Sequence, residues 1–319
     1  MKLICPMVVA ALLGVAASPA SAQQYPSKPV RMLVGIAPGG GLDTGTRTVA
    51  AKLSELMGQA FIVENRAGAG GSIAAATAAS APPDGYTLLM ATTTILIHPA
   101  VFTKLPYDPI KSFTPVGAAG TELLVISVHP AVPAKTTAEL IALLRAHPGK
   151  FNFGTPGVGT AHHLAMEMFK KQAGVDIVHI PYKGAALVTP DLISGQIPMA
   201  MMSVNTTLPQ AKAGKIRAIA ISSPVKLAVA DWPAISETLP GFDASSTRLL
   251  MGPAGMSREI VLRLSEVLRR MLASEDIQRA FTQQGSHWQF VGPDELAASM
   301  RVDIAKWSAA ARDAGVKAE

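Results

Sequence analysis

Two kinds of apolar pattern alternate along this chain. Short apolar runs bounded by turn residues read as buried strands, and longer stretches with an apolar residue every three or four positions read as helices. Val30–Ile36 predicts a strand and Leu42–Met57 a helix. Phe61–Glu64 predicts a strand, Gly71–Ser80 a small-residue helix and Tyr86–Ala91 another strand. Leu123–Val128 reads as a strand, and Thr136 opens a helix through Arg145, with Glu139 completing a capping box. Phe151–Phe153, Ile177–Ile180, Ile197–Met202 and Ile216–Ile221 follow as strands. Helices fall between them at Thr160–Gln172, near Pro190–Ser194 and at Thr207–Ala213. After a short strand at Leu249–Met251 the pattern is helical: Ser257–Leu272, Glu275–Gln284 and Pro293–Ala314.

Such alternation predicts an α/β fold, with mostly parallel sheets covered by helices on both faces. The composition shifts near Pro106, Asp108 and Pro109, and again near Pro240 and Gly241. We therefore expect two discontinuous lobes, one of residues 23–123 plus 242–319 and the other of residues 124–241. The chain would cross between them twice, which suits a hinge.

The N-terminus carries its own signal. Lys2 is followed by an apolar run from Leu3 to Ala17 and by the small residues Ala20 and Ala22 before Gln23. This is the pattern of a secretory signal peptide over residues 1–22, cleaved near Ala22–Gln23, and it places the mature chain in the periplasm. A membrane anchor is the poorer reading, because a spanning helix needs about 20 apolar residues. The only cysteine, Cys5, lies inside this segment, so no disulfide or thiol chemistry is expected afterwards. The net charge of +6 is scattered, with Lys170-Lys171 and Arg269-Arg270 as pairs. A nucleic-acid binder would concentrate its charge on one face, so the expectation is mild attraction for anions and no nucleic-acid partner.

Three glycine-rich turns each follow a strand and open a helix: Pro38-Gly39-Gly40-Gly41-Leu42-Asp43, Asn65 to Ser72, and Gly154-Thr155-Pro156-Gly157-Val158-Gly159-Thr160. Glycine admits close approach of a ligand, and the first amides of a helix lack internal partners and favour an anion. The first and third turns fall in different lobes and can face each other across a cleft. The second has no counterpart and reads as a tight connection. Asp43 is better placed to cap its helix than to touch an anion, and Thr160 suits an N-cap, a ligand donor or both. Ser203 and Asn205 follow a second-lobe strand end and can reach the same cleft. The methionines Met199, Met201 and Met202 read as core.

Cofactor and catalytic patterns fail. A dinucleotide fingerprint begun at Gly39, Gly68 or Gly157 meets Thr44, Ile73 or His162 where glycine is needed, and no P-loop follows any turn. Gly70-Gly71-Ser72-Ile73-Ala74 misses the nucleophile elbow at its last position. His163 and Glu167 lie one turn apart, a spacing that reads better as a surface or capping pair than as a metal site. Neither a cofactor nor a metal is expected, and the chain does not read as an enzyme.

Taken in order, these segments resemble the Bug-type, tripartite tricarboxylate transporter substrate-binding proteins. The resemblance rests on Gly35 to Asp43, Val63 to Gly71, Pro83-Asp84-Gly85-Tyr86-Thr87-Leu88-Leu89, Lys104 to Pro109, Gly154 to Leu164 and Pro181-Tyr182-Lys183-Gly184. It implies a two-lobed periplasmic-binding-protein fold of the second type, closing as a Venus flytrap on a small organic anion: a mono- or dicarboxylate, an amino acid or an aromatic acid. It implies that a ligand carboxylate meets Gly154, Thr155, Gly157, Gly159 and Thr160, that Pro38 to Asp43 offer backbone groups, and that Thr92, Thr93 and Thr94 line the cleft. Tyr182 and Lys183 are either cleft or turn residues. The implied partners are membrane permease subunits, with the receptor a monomer. A periplasmic sensor subunit of the same fold, or a hydrolase on two α/β lobes, remain alternatives. Thr247, Leu249, Pro198 and His98 depart from the family pattern, and Arg248 is either a second carboxylate ligand or a solvated loop residue.

Overall fold

The computed structural model describes residues 25–316. Its strands form two sheets. The first contains β1 (Val30–Val34), β2 (Phe61–Asn65), β3 (Thr87–Thr92), β4 (Phe113–Glu122), β10 (Ser246–Pro253) and β11 (His287–Val291), in the order β11-β4-β10-β3-β1-β2. The second contains β5 (Leu124–Val128), β6 (Asn152–Thr155), β7 (Val178–Pro181), β8 (Met199–Ser203) and β9 (Arg217–Ile221), in the order β7-β6-β8-β5-β9. Leu123 alone separates β4 from β5, so the first passage between sheets is abrupt.

Both sheets are mixed, where mostly parallel sheets were expected. β1 pairs in parallel with β2 and β3, and β6 with β7 and β8, as βαβ units require. β10 is antiparallel to both β3 and β4, and β5 is antiparallel to β8 and β9. The cause is the crossing itself. β4 runs out towards the second sheet and β10 returns from it, so these neighbours must oppose each other.

Helices cover both faces of the first sheet. α1 (Gly41–Met57), α8 (Arg258–Leu272) and α9 (Glu275–Gln283) bury Leu53, Leu264 and Phe281 on one side. On the other, α2 (Ser72–Ala79), α3 (Thr94–Val101) and α10 (Pro293–Asp313) bury Ala75, Leu96 and Met300. In the second sheet, α4 (Thr137–Ala146) and α5 (Ala161–Ala173) enclose Phe153 and Phe169, while α6 (Ala185–Ser194) brings Val188 and Leu192 against Met202. α7 (Val204–Lys212) follows β8 directly. Three elements escape the sequence pattern. β4 carries Pro115 and a run of small residues, and is a strand because β10 and β11 flank it. β11 is a half-exposed edge strand, and α3 contains Pro99.

α10 belongs to two cores. Leu296 and Met300 pack with the first sheet, whereas Trp307 and Ala311, two and three turns further on, join the core of Phe153, Leu164 and Phe169 in the second. Trp307 is 1% exposed, so Trp307→Ala should cost about 3–5 kcal/mol of stability. Urea unfolding followed by circular dichroism measures that loss.

Candidate functional site

The site begins where β1 ends. The chain turns through Gly35 to Gly40 into α1, with Gly40 as an extended N-cap lacking any side-chain cap bond. The first backbone bond of the helix is Thr44 N–H to the Gly40 carbonyl, 3.0 Å, so the amides of Gly41, Leu42 and Asp43 have no acceptor within the helix. The Asp43 side chain turns back to brace the loop. Its Oδ2 accepts from the Gly39 amide at 2.9 Å and from Arg47 Nε at 3.1 Å, and its Oδ1 accepts from Asn65 Nδ2 at 2.8 Å. Burial pushes this carboxyl up, but the bonds from Arg47, Gly39 and Asn65 together hold it below the ordinary carboxylate value.

The opposing wall is built by the turn between β6 and α5. Thr160 caps α5: its Oγ1 accepts from the His163 amide at 3.2 Å and donates to the Gly157 carbonyl at 2.8 Å. The next amide, Ala161, donates across the cleft to Thr94 Oγ1 at 3.1 Å. Gly41 makes a second contact between the two sides. A Cβ there would overlap Glu122 Oε1 and stand 2.7 Å from Asn205 Oδ1 and 2.9 Å from Ser203 Oγ. Between these contacts lies a cavity of about 60 Å³. Gly40, Gly41 and Leu42 line one side, and Pro156, Thr160 and His162 the other.

Of the residues singled out in the sequence, Gly40, Gly41, Leu42, Thr92, Thr94, Thr160 and Ser203 line this cavity. Gly39 and Asn205 line a neighbouring surface groove instead. Pro38 and Asp43 are outside the cavity lining, and Asp43 serves as the loop brace. Thr93 points to the crossing strands, its amide donating to the Thr247 carbonyl and its hydroxyl bonded to Ser246. Gly154 is a close-packing position: a Cβ would stand 2.6 Å from Ile197 and 3.2 Å from the Tyr182 ring. Thr155 bonds His179 and the Gly157 carbonyl behind the loop, and Tyr182 donates to Asp191. Gly157 and Gly159 shape the turn at φ +159° and +70°, and Lys183 is exposed.

The sequence reading took the second glycine turn for a tight connection only, and passed over two polar side chains. Gly70 and Gly71 line the cavity; a Cβ on Gly70 would stand 3.2 Å from the Val158 carbonyl of the opposing turn, so this loop does face the other side. Gly35 and Gly71 touch so closely that a Cβ on Gly35 would stand 2.5 Å from Gly71 Cα. Glu122, the last residue of β4, is 4% exposed and lines the cavity. It accepts from Ser203 Oγ at 2.6 Å, and Ser203 Oγ in turn lies 3.1 Å from His162 Nε2. Burial holds His162 below its ordinary pKa, with the Glu122 charge acting the other way. Nothing in the local sequence marks Glu122; only its place at the end of a strand hidden from the pattern brings it here.

Arg248 is neither a solvated loop residue nor a cavity ligand. It lies within β10 opposite Thr92, is fully buried, and bonds Ser286 Oγ at 3.1 Å. Its guanidinium lies 5.6 Å from the Phe281 ring centre and close beneath Gly45. Burial lowers its pKa and the Glu122 charge raises it. Leu249 faces the core and His98 is buried against Tyr107, so neither departure from the family pattern touches the cavity.

Comparison with known proteins places this geometry. The family model described as "Tripartite tricarboxylate transporter family receptor" matches residues 46–313. The chain belongs to this family. Protein BugT of Bordetella pertussis is 32% identical over 311 residues, covering 96% of this chain and 95% of that protein. The structure of R. palustris Rpa4515 with adipate superposes with a TM-score of 0.89 at 31% identity, covering 92% of this chain and all of that one. Periplasmic binding protein BugD gives 0.87 at 29% identity, with 92% and 100% coverage. This receptor is thus a periplasmic solute-binding protein with a two-lobed α/β fold.

Behind the α5 turn, the receptor stacks His163 on His179, with ring centres 3.8 Å apart. His163 Nδ1 accepts from the Gly159 amide at 3.3 Å, and His179 Nε2 lies 2.7 Å from Thr155 Oγ1, so the pair props the loop. Burial first, then neighbouring positive charge, pushes His163 down to about 3 and His179 to about 4. A neutral His163 makes its 3.8 Å approach to Glu167 a polar contact rather than an ion pair.

Two outcomes are expected. Below about pH 6.5 the unfolded chain protonates these imidazoles while the folded ones stay neutral, so stability is complete above that pH. It should be lost on acidification towards pH 4, by about 1.4 kcal/mol per pH unit for each histidine. Urea midpoints at pH 7, 6 and 5 test this. Gly41→Ala should leave the fold intact, because the first turn of a helix accepts alanine, yet hinder approach of the two sides. Small-angle scattering should then show a larger radius of gyration than for the wild type.

Proposed function

We propose that this receptor captures a small organic carboxylate in the cavity between its lobes and delivers it to the permease subunits of a tripartite tricarboxylate-type transporter. The observation that carries the reading is the single cavity shared by the N-terminal turns of α1 and α5. Unpaired helix-start amides favour an anion, and a carboxylate-bearing solute gains bonds from both sides only when they are together. The adipate in Rpa4515 is consistent with that chemistry. Among the residues picked from sequence, we assign ligand contact to Gly40, Gly41, Leu42, Thr92, Thr94, Thr160 and Ser203, with the other glycines shaping the loops.

The lobes in this reading are residues 23–123 with 242–319, and residues 124–241, and they open and close about the crossings near Leu123 and Ser246. A free solute selects the closed state, a population shift driven by its greater affinity for that state. The receptor works as a monomer, exported by a signal peptide ending near Ala22; those first residues lie outside the described ones.

No turnover is part of the proposal. Ser203 stands between His162 and Glu122, so its proton is directed to the carboxylate rather than to the imidazole. In a hydrolytic triad the imidazole is the middle member. Isothermal titration should show one solute bound per chain, recovered unchanged. At a hundredfold excess over Kd the solute should add about 2.7 kcal/mol of stability, read as a rise of several degrees in melting temperature. Loss of the solute to a product during incubation would overturn the reading.

A further inference from the structure

The cavity wall has an unusual charge balance for a receptor of carboxylates. Its lining carries one acid, Glu122, and neither lysine nor arginine. The nearest strong cation, Arg248, is outside the lining, enclosed by Ser286, Phe281 and Gly45. His162 faces the cavity but is held towards its neutral form by burial.

Glu122 is also specifically placed. Its Oε1 crowds Gly41, at the start of α1. Glu122 therefore stands beside the first turn of α1, where one end of a dicarboxylate would meet its charge. A second anionic group entering here would meet a buried like charge, with the nearby cation Arg248 outside the lining. The opposite end of the cavity is free of acids. There, Ala161 donates to Thr94 and His163 to Thr160, which leaves the His162 amide as the helix-start donor without an acceptor in its own helix. The lining also carries the apolar side chains of Ile36, Leu89 and Ile95.

We infer that the solute carries one carboxylate, held at the α5 turn, and a positively charged nitrogen, held by Glu122, on a short aliphatic body. This rests on the cavity being the solute site, and it adds the class of solute. Glu122 is then the residue that sets specificity, with Ser203 fixing its carboxylate through the 2.6 Å bond.

The test compares sets of equal chain length by calorimetry: α- and ω-amino carboxylates of four to six carbons, the corresponding dicarboxylates and the corresponding simple monocarboxylates. The best amino carboxylate should bind at least about tenfold more tightly than any dicarboxylate, since a hydrogen bond to a charged group contributes at least that factor. Glu122→Gln, checked for folding by circular dichroism, should weaken amino carboxylates about tenfold or more and leave monocarboxylates little changed. A general structural defect would weaken both sets alike, and that result would overturn the specificity role. A dicarboxylate equal to or tighter than every amino carboxylate in the wild type overturns the inference while leaving carboxylate capture standing. Failure of every carboxylate to bind sinks both.

Discussion

The cleft depends on bare backbone at the start of α1. Gly41 allows the first turn of that helix to lie against Glu122, Ser203 and Asn205 without an intervening side chain. A methyl group there occupies the volume into which the opposing groups must come. Other contacts follow the same rule: Gly70 beneath the Val158 carbonyl, Gly184 against Ala37, and Gly35 against Gly71. Glycine is used where the backbone comes close to another segment, and the ligand space is what remains between them.

Around these bare positions several polar side chains hold the loops in place. Asp43 ties Gly39, Arg47 and Asn65 into a brace under the first turn. Thr160 closes the third turn on itself, while His163 and His179 support it from behind. Rigid loops present amides at fixed positions, so little reorganisation accompanies capture. The buried imidazoles are suited to this support while they are uncharged, which ties the shape of the loop to pH.

Much of this was legible in the sequence, for reasons specific to each element. Glycine turns between a strand and a helix can leave the first amides of the helix open to a ligand, and Gly40, Gly41 and Thr160 follow from that. β1, β3 and β8 are mainly apolar runs and read directly. The order of antiparallel strands was not legible, because no periodicity records which strands cross between lobes. β4 was hidden by Pro115 and its small residues, and with it Glu122. Arg248 was misplaced because a fully buried guanidinium is rare, and its partners Ser286 and Phe281 lie more than thirty residues away in sequence. Tyr182, Thr155 and Gly154 belong to the right segment but pack away from the cavity, a distinction of side-chain direction that a motif does not carry.

The shared helix α10 has a consequence for biogenesis. It is translated after the strands of both sheets, yet it contributes Met300 to one core and Trp307 to the other. Neither hydrophobic interior is complete while the ribosome is still working on the earlier segments, so the nascent chain lacks a finished domain that could commit early. Both cores are thereby completed by one late segment, an arrangement compatible with a periplasmic protein whose two halves become compact together.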